Sequence, residues 1–102
     1  MIRHCVFIKF RADVSKDDKQ AVYTMLNDLR DVVPGLVDAS FGPNVSPEGK
    51  SRGFDDGFTM DFKDVAARDT YLDHPEHKKA GAQLVSLLEG GREGLMVFDF
   101  DV

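Results

Sequence analysis

The chain has 102 residues, a formal net charge of −5 and a single cysteine, Cys5. This length fits one domain, residues 1–102, and a hydrophobic fraction of 42% is too high for a disordered chain. The acidic balance argues against nucleic-acid binding, which needs a basic surface. One cysteine excludes an intrachain disulfide and a zinc cluster built from cysteines. No apolar run reaches the roughly 18 residues of a membrane span, and no secretion signal is recognisable, so we expect a cytoplasmic protein.

The first half of the chain predicts a strand, a helix and a second strand. Alternate positions of Ile2–Phe10 are apolar except for His4, which indicates a strand with one buried face. Ser15 is the expected N-cap of the helix, and Pro34-Gly35 the expected end. The core-facing stripe of this helix is predicted to be Val22, Met25, Leu26, Leu29 and Val33. The second strand is predicted over Leu36–Phe41.

The second half predicts a loop, a strand, two helical segments and a last strand. Turn-forming residues mark the loop from Gly42 to Gly53. The elements expected after it are a strand over Phe58–Phe62, a short helix capped by Asp64, a helix starting at Pro75 and ended by Gly90-Gly91, and a strand over Leu95–Phe100. The buried side of the helix that starts at Pro75 is expected to be Ala80, Leu84, Leu87 and Leu88.

The order β-α-β-β-α-β is that of the ferredoxin-like α+β fold, a four-stranded sheet with its helices on one face. The other face is expected to carry Cys5, Phe7, Met96, Phe98 and Phe100. Such a face is too apolar for open water. We therefore expect two copies to pair through it as a homodimer.

Several segments of the chain resemble the stress-responsive A/B barrel (Dabb) family. They are Arg3–Phe10, Val33–Gly35, His74–His77 and Val97–Phe100. The resemblance extends over nearly the whole chain, and it implies a ferredoxin-like fold that pairs into a homodimeric α/β barrel. Most members are uncharacterised. One branch closes linear polyketides by an intramolecular aldol reaction without an organic cofactor, so no cofactor is expected.

The resemblance implies that His77 is a general acid or base and that Tyr71 orients the substrate. Imidazole titrates near neutrality, as proton transfer beside a carbonyl requires. A phenol hydroxyl can hydrogen-bond a developing enolate oxygen. In the alternative interpretation, His77 is a surface residue in the first turn of a helix and has no part in chemistry.

A pocket between the sheet and the helices is also implied, with a small hydrophobic molecule as its ligand. Its expected lining is His4, Val6, Ile8, Val22, Tyr23, Leu26, Asp56, Phe58 and Leu72. His4 lies on an apolar strand face and needs a partner, which is a ligand, a water or a neighbour such as the Tyr71 hydroxyl or Asp56. Asp56 stands where the cyclase branch has a histidine, and Lys78 and Lys79 stand where small or apolar residues are expected. We therefore expect a different substrate and a more polar pocket mouth.

A magnesium site on backbone carbonyls is a weaker implication of the resemblance. The matching positions are Arg30, Val33 and Leu36, near the end of the first helix, where carbonyl groups and the helix dipole suit a hard cation. The alternative is that no ion binds there, because magnesium usually requires a carboxylate ligand.

Three functions remain open at this point. The first is a Dabb dimer that binds a small apolar molecule or only assembles. The second is a cofactor-free cyclase, lyase or isomerase that acts on a carbonyl compound. The third is a cofactor-independent monooxygenase, which ranks last because such enzymes often use Trp and Asn. This chain has no Trp and offers only Asn27 on its first helix.

Overall fold

The sheet is built from strands that enclose two helical connections, in a computed structural model that describes residues 1–102. The strands are β1 (Ile2–Ile8), β2 (Leu36–Pro43), β3 (Asp56–Phe62) and β4 (Leu95–Asp101). Their order is β2-β3-β1-β4, and every neighbouring pair is antiparallel. β1 therefore lies between β3 and β4, and the predicted ferredoxin-like fold is confirmed.

Three α-helices pack on one face of this sheet. They are α1 (Lys16–Asn27), α2 (Val65–Asp73) and α3 (Pro75–Ser86), with short 3-10 turns at Asp28–Asp31 and Gly91–Gly94. The predicted caps are confirmed: Ser15 Oγ accepts from the amide of Asp18 at 3.1 Å, and Asp64 accepts from the amide of Ala67 at 2.8 Å. Pro75 begins α3. His74 ends α2 and is also the N-cap residue of α3. No helix in the chain is both long and apolar enough to cross a membrane.

The predicted end of the first helix is wrong by several residues. Regular α-helix stops at Asn27 rather than at Pro34, and the chain tightens into the 3-10 turn. Asp28 and Asp31 place negative charge at the helix C-terminus, which opposes the helix dipole, and no basic residue lies in the last turn of α1. Leu29 and Val33 are nevertheless buried as expected.

Two strands are longer than predicted because their glycines belong to the sheet rather than to the loop. Gly42 pairs with Gly57 in the β2–β3 ladder. A Cβ atom on Gly57 would lie 2.9 Å from the carbonyl oxygen of Val6. Glycine is therefore used here for close backbone approach within a sheet, and not for a turn.

The strand register fixes which side chains face the helices. Cys5 lies opposite Phe98, and Phe7 lies opposite Met96, so the predicted outer face is confirmed. Phe98 is 61% exposed on this face. Cys5 is buried, and burial raises the pKa of its thiol, which suits packing rather than nucleophilic chemistry. On the opposite face, a cluster of 16 buried residues joins the sheet to the helices.

Candidate functional site

A cavity of about 780 Å³ opens between the sheet and α2 and α3, within the range of roughly 300–1,000 Å³ that is common for ligand pockets. Its wall contains seven of the predicted site residues, namely His4, Val6, Leu26, Phe58, Tyr71, Leu72 and His77. The remaining lining residues are Lys78, Gly81, Ala82, Leu84, Val85, Arg92, Leu95 and Val97. Part of the space exists because α3 carries Gly81, where an added Cβ would meet no atom within 4 Å.

Tyr71 lies between the two histidines of the cavity. Its ring centroid is 4.2 Å from that of His77 and 5.8 Å from that of His4. Tyr71 comes from the last turn of α2, and His77 comes from the first turn of α3. The break at His74-Pro75 turns the chain between the two helices, so residues six apart in sequence meet at one wall.

The surroundings of His77 favour a neutral imidazole. Burial lowers the pKa of His77, and positive charge on Lys78, and on His4 and His74 when they are protonated, acts in the same direction. Its Nδ1 lies 3.2 Å from the carbonyl oxygen of Leu72. This hydrogen bond raises the pKa of His77, but it offsets the effect of burial only in part. Because a carbonyl oxygen only accepts, Nδ1 carries the proton and donates it there. Nε2 is left without a partner in the chain and is available as a base.

His4 is held by a carboxylate that the sequence analysis did not identify as its partner. Its Nδ1 lies 2.7 Å from Asp99 Oδ1, across the β1–β4 pair, rather than beside the Tyr71 hydroxyl or Asp56. The second oxygen of Asp99 accepts from Arg68 Nη1 at 2.7 Å. Burial by itself raises the pKa of Asp99, but the hydrogen bonds from Arg68 and His4 hold this pKa below its usual value. An ionised Asp99 fixes the Nδ1–H form of His4, which frees Nε2.

The Tyr71 hydroxyl is a proton donor in this environment. The side chain is almost fully buried, and burial raises the pKa of Tyr71. The phenol therefore stays protonated at neutral pH. A protonated phenol between two imidazoles can donate a hydrogen bond to an oxygen of a bound molecule.

Four of the predicted lining residues lie outside the cavity. Ile8 and Val22 are buried in the core. Tyr23 packs on Phe41 with ring centroids 4.9 Å apart, and its buried hydroxyl has no hydrogen-bond partner. Asp56 Oδ2 lies 3.4 Å from Lys19 Nζ. None of the four lines the cavity, and the only residue of α1 that does so is Leu26.

The predicted magnesium positions lie together near the end of the first 3-10 turn. Arg30 and Leu36 line a shallow polar depression, and the carbonyl of Val33 accepts the amide hydrogen of Leu36 at 3.2 Å. No group of three or more His, Cys, Asp or Glu side chains in the chain is arranged to hold a metal ion. Magnesium bound to these carbonyls remains a prediction.

Sequence reasoning missed Asp99, Arg68 and Arg92. Asp99 did give a signal, since it follows Leu95 and Val97 at alternate positions on the inner face of β4. An acid on an otherwise apolar face requires a partner, as His4 does on β1. The antiparallel register that places them opposite each other is a tertiary feature.

Comparison with known proteins identifies the family. Olivetolic acid cyclase from Cannabis sativa is 23% identical over 99 residues, which are 97% of this chain and 94% of that protein. A dimeric ferredoxin-like protein of unknown function from Jannaschia sp. is 34% identical and has a TM-score of 0.90, over 99% of this chain and 98% of its own. Hydroxynitrile lyase from Passiflora edulis shares the fold, with a TM-score of 0.86 at 17% identity over 99% and 92% of the two chains. The family model for the stress responsive A/B barrel domain matches residues 2–102, so the chain belongs to that family.

Proposed function

We propose that this protein binds a small, mostly apolar carbonyl compound in the cavity and acts on it by cofactor-free acid/base catalysis, as a cyclase, lyase or isomerase. One observation carries the proposal: Tyr71 lies between His77 and His4 on the wall of one cavity. Each imidazole has its Nδ1 occupied and its Nε2 free. Three proton-handling groups therefore converge where an apolar molecule fits.

The chemistry begins with proton transfer from a carbon atom beside the carbonyl group. Nε2 of neutral His77 takes this proton, and the electron pair of the C–H bond moves toward the carbonyl oxygen to form an enolate. The Tyr71 hydroxyl donates a hydrogen bond to that oxygen. In a cyclase the enolate carbon then attacks a second carbonyl carbon, and the alkoxide that forms takes the proton back from the His77 imidazolium. In a lyase the enolate re-forms its C=O bond, a C=C bond forms, and a leaving group departs with its electron pair from the adjacent carbon and takes the proton of the imidazolium. In an isomerase a different carbon of the enolate regains that proton.

His4 is the second proton carrier in this proposal. Asp99 stabilises the positive charge that His4 acquires when its Nε2 accepts a proton. Arg68 in turn orients the carboxylate of Asp99. Two bases on either side of Tyr71 allow one imidazole to remove a proton while the other delivers one.

Two of the compared proteins are named as enzymes of the classes proposed here. The relative from Cannabis sativa is a cyclase, and the structure from Passiflora edulis is a lyase. Lys78 lies in the cavity wall where small or apolar residues are expected in the cyclase branch, which favours a different substrate for this chain.

Hydrogen–deuterium exchange beside a carbonyl group tests the proposed first step. Methyl hexyl ketone, phenylacetone and acetylacetone are incubated with the protein in heavy water and followed by proton NMR. For at least one of these ketones, we expect exchange to be faster with the wild-type protein than in the same buffer without protein. His77→Gln should lower this rate at least about 100-fold, as expected for loss of a general base.

His74→Asn is the matched control for this experiment. His74 is a neighbouring histidine that lies outside the cavity wall, and asparagine can replace it as a helix N-cap. Its exchange rate should stay close to that of the wild type, because burial, and not the charge of His74, is the main cause of the lowered pKa of His77. Equal exchange with wild type and His77→Gln would contradict the role of His77. Probe binding without exchange in the wild type would indicate a binding protein rather than an enzyme.

We further propose that the protein is a homodimer closed through the outer face of its sheet. Phe7, Met96, Phe98 and Phe100 are each more than 40% exposed there. A continuous aromatic surface of this kind is unfavourable in water and is covered when two such sheets pack together. The Jannaschia protein is described as dimeric, which supports the proposal.

The proposed location is the cytoplasm. The single thiol, Cys5, is free and buried, which suits a reducing compartment. A fluorescent fusion that is exported would contradict this location.

A further inference from the structure

The charged residues of the cavity wall are all basic. Lys78 and Arg92 line the cavity, and no Asp or Glu does. Neither cation lies within 4.0 Å of a carboxylate, since both are absent from the ion pairs of the chain. An apolar cavity is therefore bordered by two unpaired positive charges.

Both cations lie at the cavity mouth rather than at its floor. The floor residues His4 and Val6 are buried, whereas Lys78 and Arg92 are exposed. Lys78 directly follows His77 in α3. Arg92 lies in the 3-10 turn that follows Gly90, whose positive φ of 71° allows the chain to reverse there. Two different elements thus bring their charges to one opening.

The positive charge at this opening contrasts with the overall charge of the chain, which is negative. The chain has a net charge of −5. Arg3, Arg11, Arg30 and Arg68 each lie within 4.0 Å of an aspartate. Asp99, which lies behind His4, is already bonded to both His4 and Arg68.

We infer that the ligand of this cavity is an anion, namely an apolar chain or ring that carries a carboxylate. The apolar part lies against Val6, Leu26 and Phe58, and the carboxylate lies between Lys78 and Arg92. A guanidinium binds a carboxylate through two parallel hydrogen bonds, and the ammonium of Lys78 adds a second positive charge. The inference rests on the proposed ligand cavity and specifies its substrate class.

A carboxylate fixed at the mouth also orients the reacting group. With one end of the molecule held by Lys78 and Arg92, the remainder points inward along the wall toward Tyr71. A carbonyl group on that inward part would meet the phenol and the two imidazoles. The substrate class is therefore a carbonyl compound with an acid group at the opposite end.

Binding of paired neutral and anionic probes tests this inference without any turnover. Hexanoate, octanoate and decanoate are compared with hexanamide, octanamide and decanamide by isothermal titration calorimetry. In each pair the apolar chain is the same and only the charge differs. We expect the carboxylate to bind about tenfold more tightly than the amide at low salt, and this preference to shrink at high salt because ions screen exposed charges.

The double variant Lys78→Gln/Arg92→Gln should remove this preference, with amide affinity changed less than twofold. Lys79→Gln is the matched control, since Lys79 is exposed and adjacent in sequence but does not line the cavity. It should keep the wild-type preference. Equal wild-type affinity for acid and amide, or a preference that survives the double variant, would overturn the inference and leave the cavity intact. Binding of neither probe series would overturn both the inference and the proposed ligand cavity.

Discussion

At the scale of single residues, the protonation pattern of the cavity follows from what each ring nitrogen contacts. Asp99 holds Nδ1 of His4, and the carbonyl of Leu72 holds Nδ1 of His77. Both partners only accept hydrogen bonds, so each neutral imidazole carries its proton on Nδ1. The same constraint leaves both Nε2 atoms free for chemistry.

Asp99→Asn should reverse this constraint at His4. An asparagine amide can donate to Nδ1 and so favours the Nε2–H form, in which the free nitrogen is no longer a base. In long-range proton–nitrogen NMR spectra, we expect the nitrogen chemical shifts of Nδ1 and Nε2 of His4 to be interchanged, because the proton moves from Nδ1 to Nε2. Asp101→Asn, on the same strand but paired only with the N-terminal amine, should leave them unchanged. A His4 pattern identical in wild type and Asp99→Asn would contradict the assigned role of Asp99.

His77 should make stability depend on pH in the acidic range. Burial lowers its pKa from the ordinary value of 6.5, so the folded state binds the proton less readily than the unfolded state. The associated stability is present above pH 6.5 and is lost as pH falls below it. We expect His77→Gln to reduce the loss of unfolding free energy between about pH 7 and pH 5, by less than about 1 kcal/mol because the ring is half-buried. Urea unfolding at several pH values measures it, and parallel curves for the two proteins would contradict it.

At the scale of elements, α3 both caps the core and shapes the cavity. Ala80 and Leu84 are buried under it, as predicted, while Gly81 faces the cavity with no atom within 4 Å of its missing Cβ. Leu88 is also buried, but it lies beyond the end of the helix and bridges to Phe10. One helix therefore supplies core contacts on one side and empty space on the other.

Two substitutions of Gly81 should separate these roles. Gly81→Ala should stabilise the protein by about 0.5–1 kcal/mol, because alanine favours helix and nothing obstructs its methyl group. Gly81→Leu should project into the cavity and weaken octanoate binding at least about tenfold while the protein stays folded. Thermal unfolding and calorimetry measure the two effects. Destabilisation by Gly81→Ala, or full octanoate binding by Gly81→Leu, would show that the space beside α3 is not as described.

At the scale of the whole molecule, the sheet has two apolar faces and helices for only one of them. The inner face carries the buried cluster, and the outer face carries the exposed aromatic residues of β4. A chain of this size cannot cover both faces by itself. We propose a dimer because the helices cover only the inner face of the sheet, and a second copy can cover the outer face.

Phe98→Asp should yield a monomer. A carboxylate on each copy would be buried opposite an apolar sheet, where desolvation is costly. Light scattering at micromolar concentration should give twice the chain mass for the wild type and the single chain mass for the variant. Val45→Asp is the control, because Val45 is 89% exposed in the loop before β3 and should leave the mass unchanged. A wild-type mass of 11.4 kDa would contradict the dimer.

The fold and family were predictable because they are encoded locally. The alternation that begins at Ile2, the caps at Ser15 and Asp64, and the break at Pro75 each act over a few residues. The structure confirms both caps, the break and the strand as far as Ile8, two residues short of the predicted end. The end of α1 was not predicted correctly, because acidic residues at the helix terminus end the regular helix at Asn27, well before the stop signal at Pro34-Gly35.

The site divides in the same way between local and tertiary information. The sequence by itself determined the family, the order of elements and the placement of Tyr71 and His77 on either side of one helix break. Only the tertiary structure decided that Asp99 holds His4 and is itself held by Arg68, and that Arg92 joins Lys78 at the cavity mouth. It also decided which predicted lining residues lie outside the cavity, namely Ile8, Val22, Tyr23 and Asp56. The physical reason is that strand register and helix packing bring together residues up to 95 positions apart, and no local pattern specifies those distances.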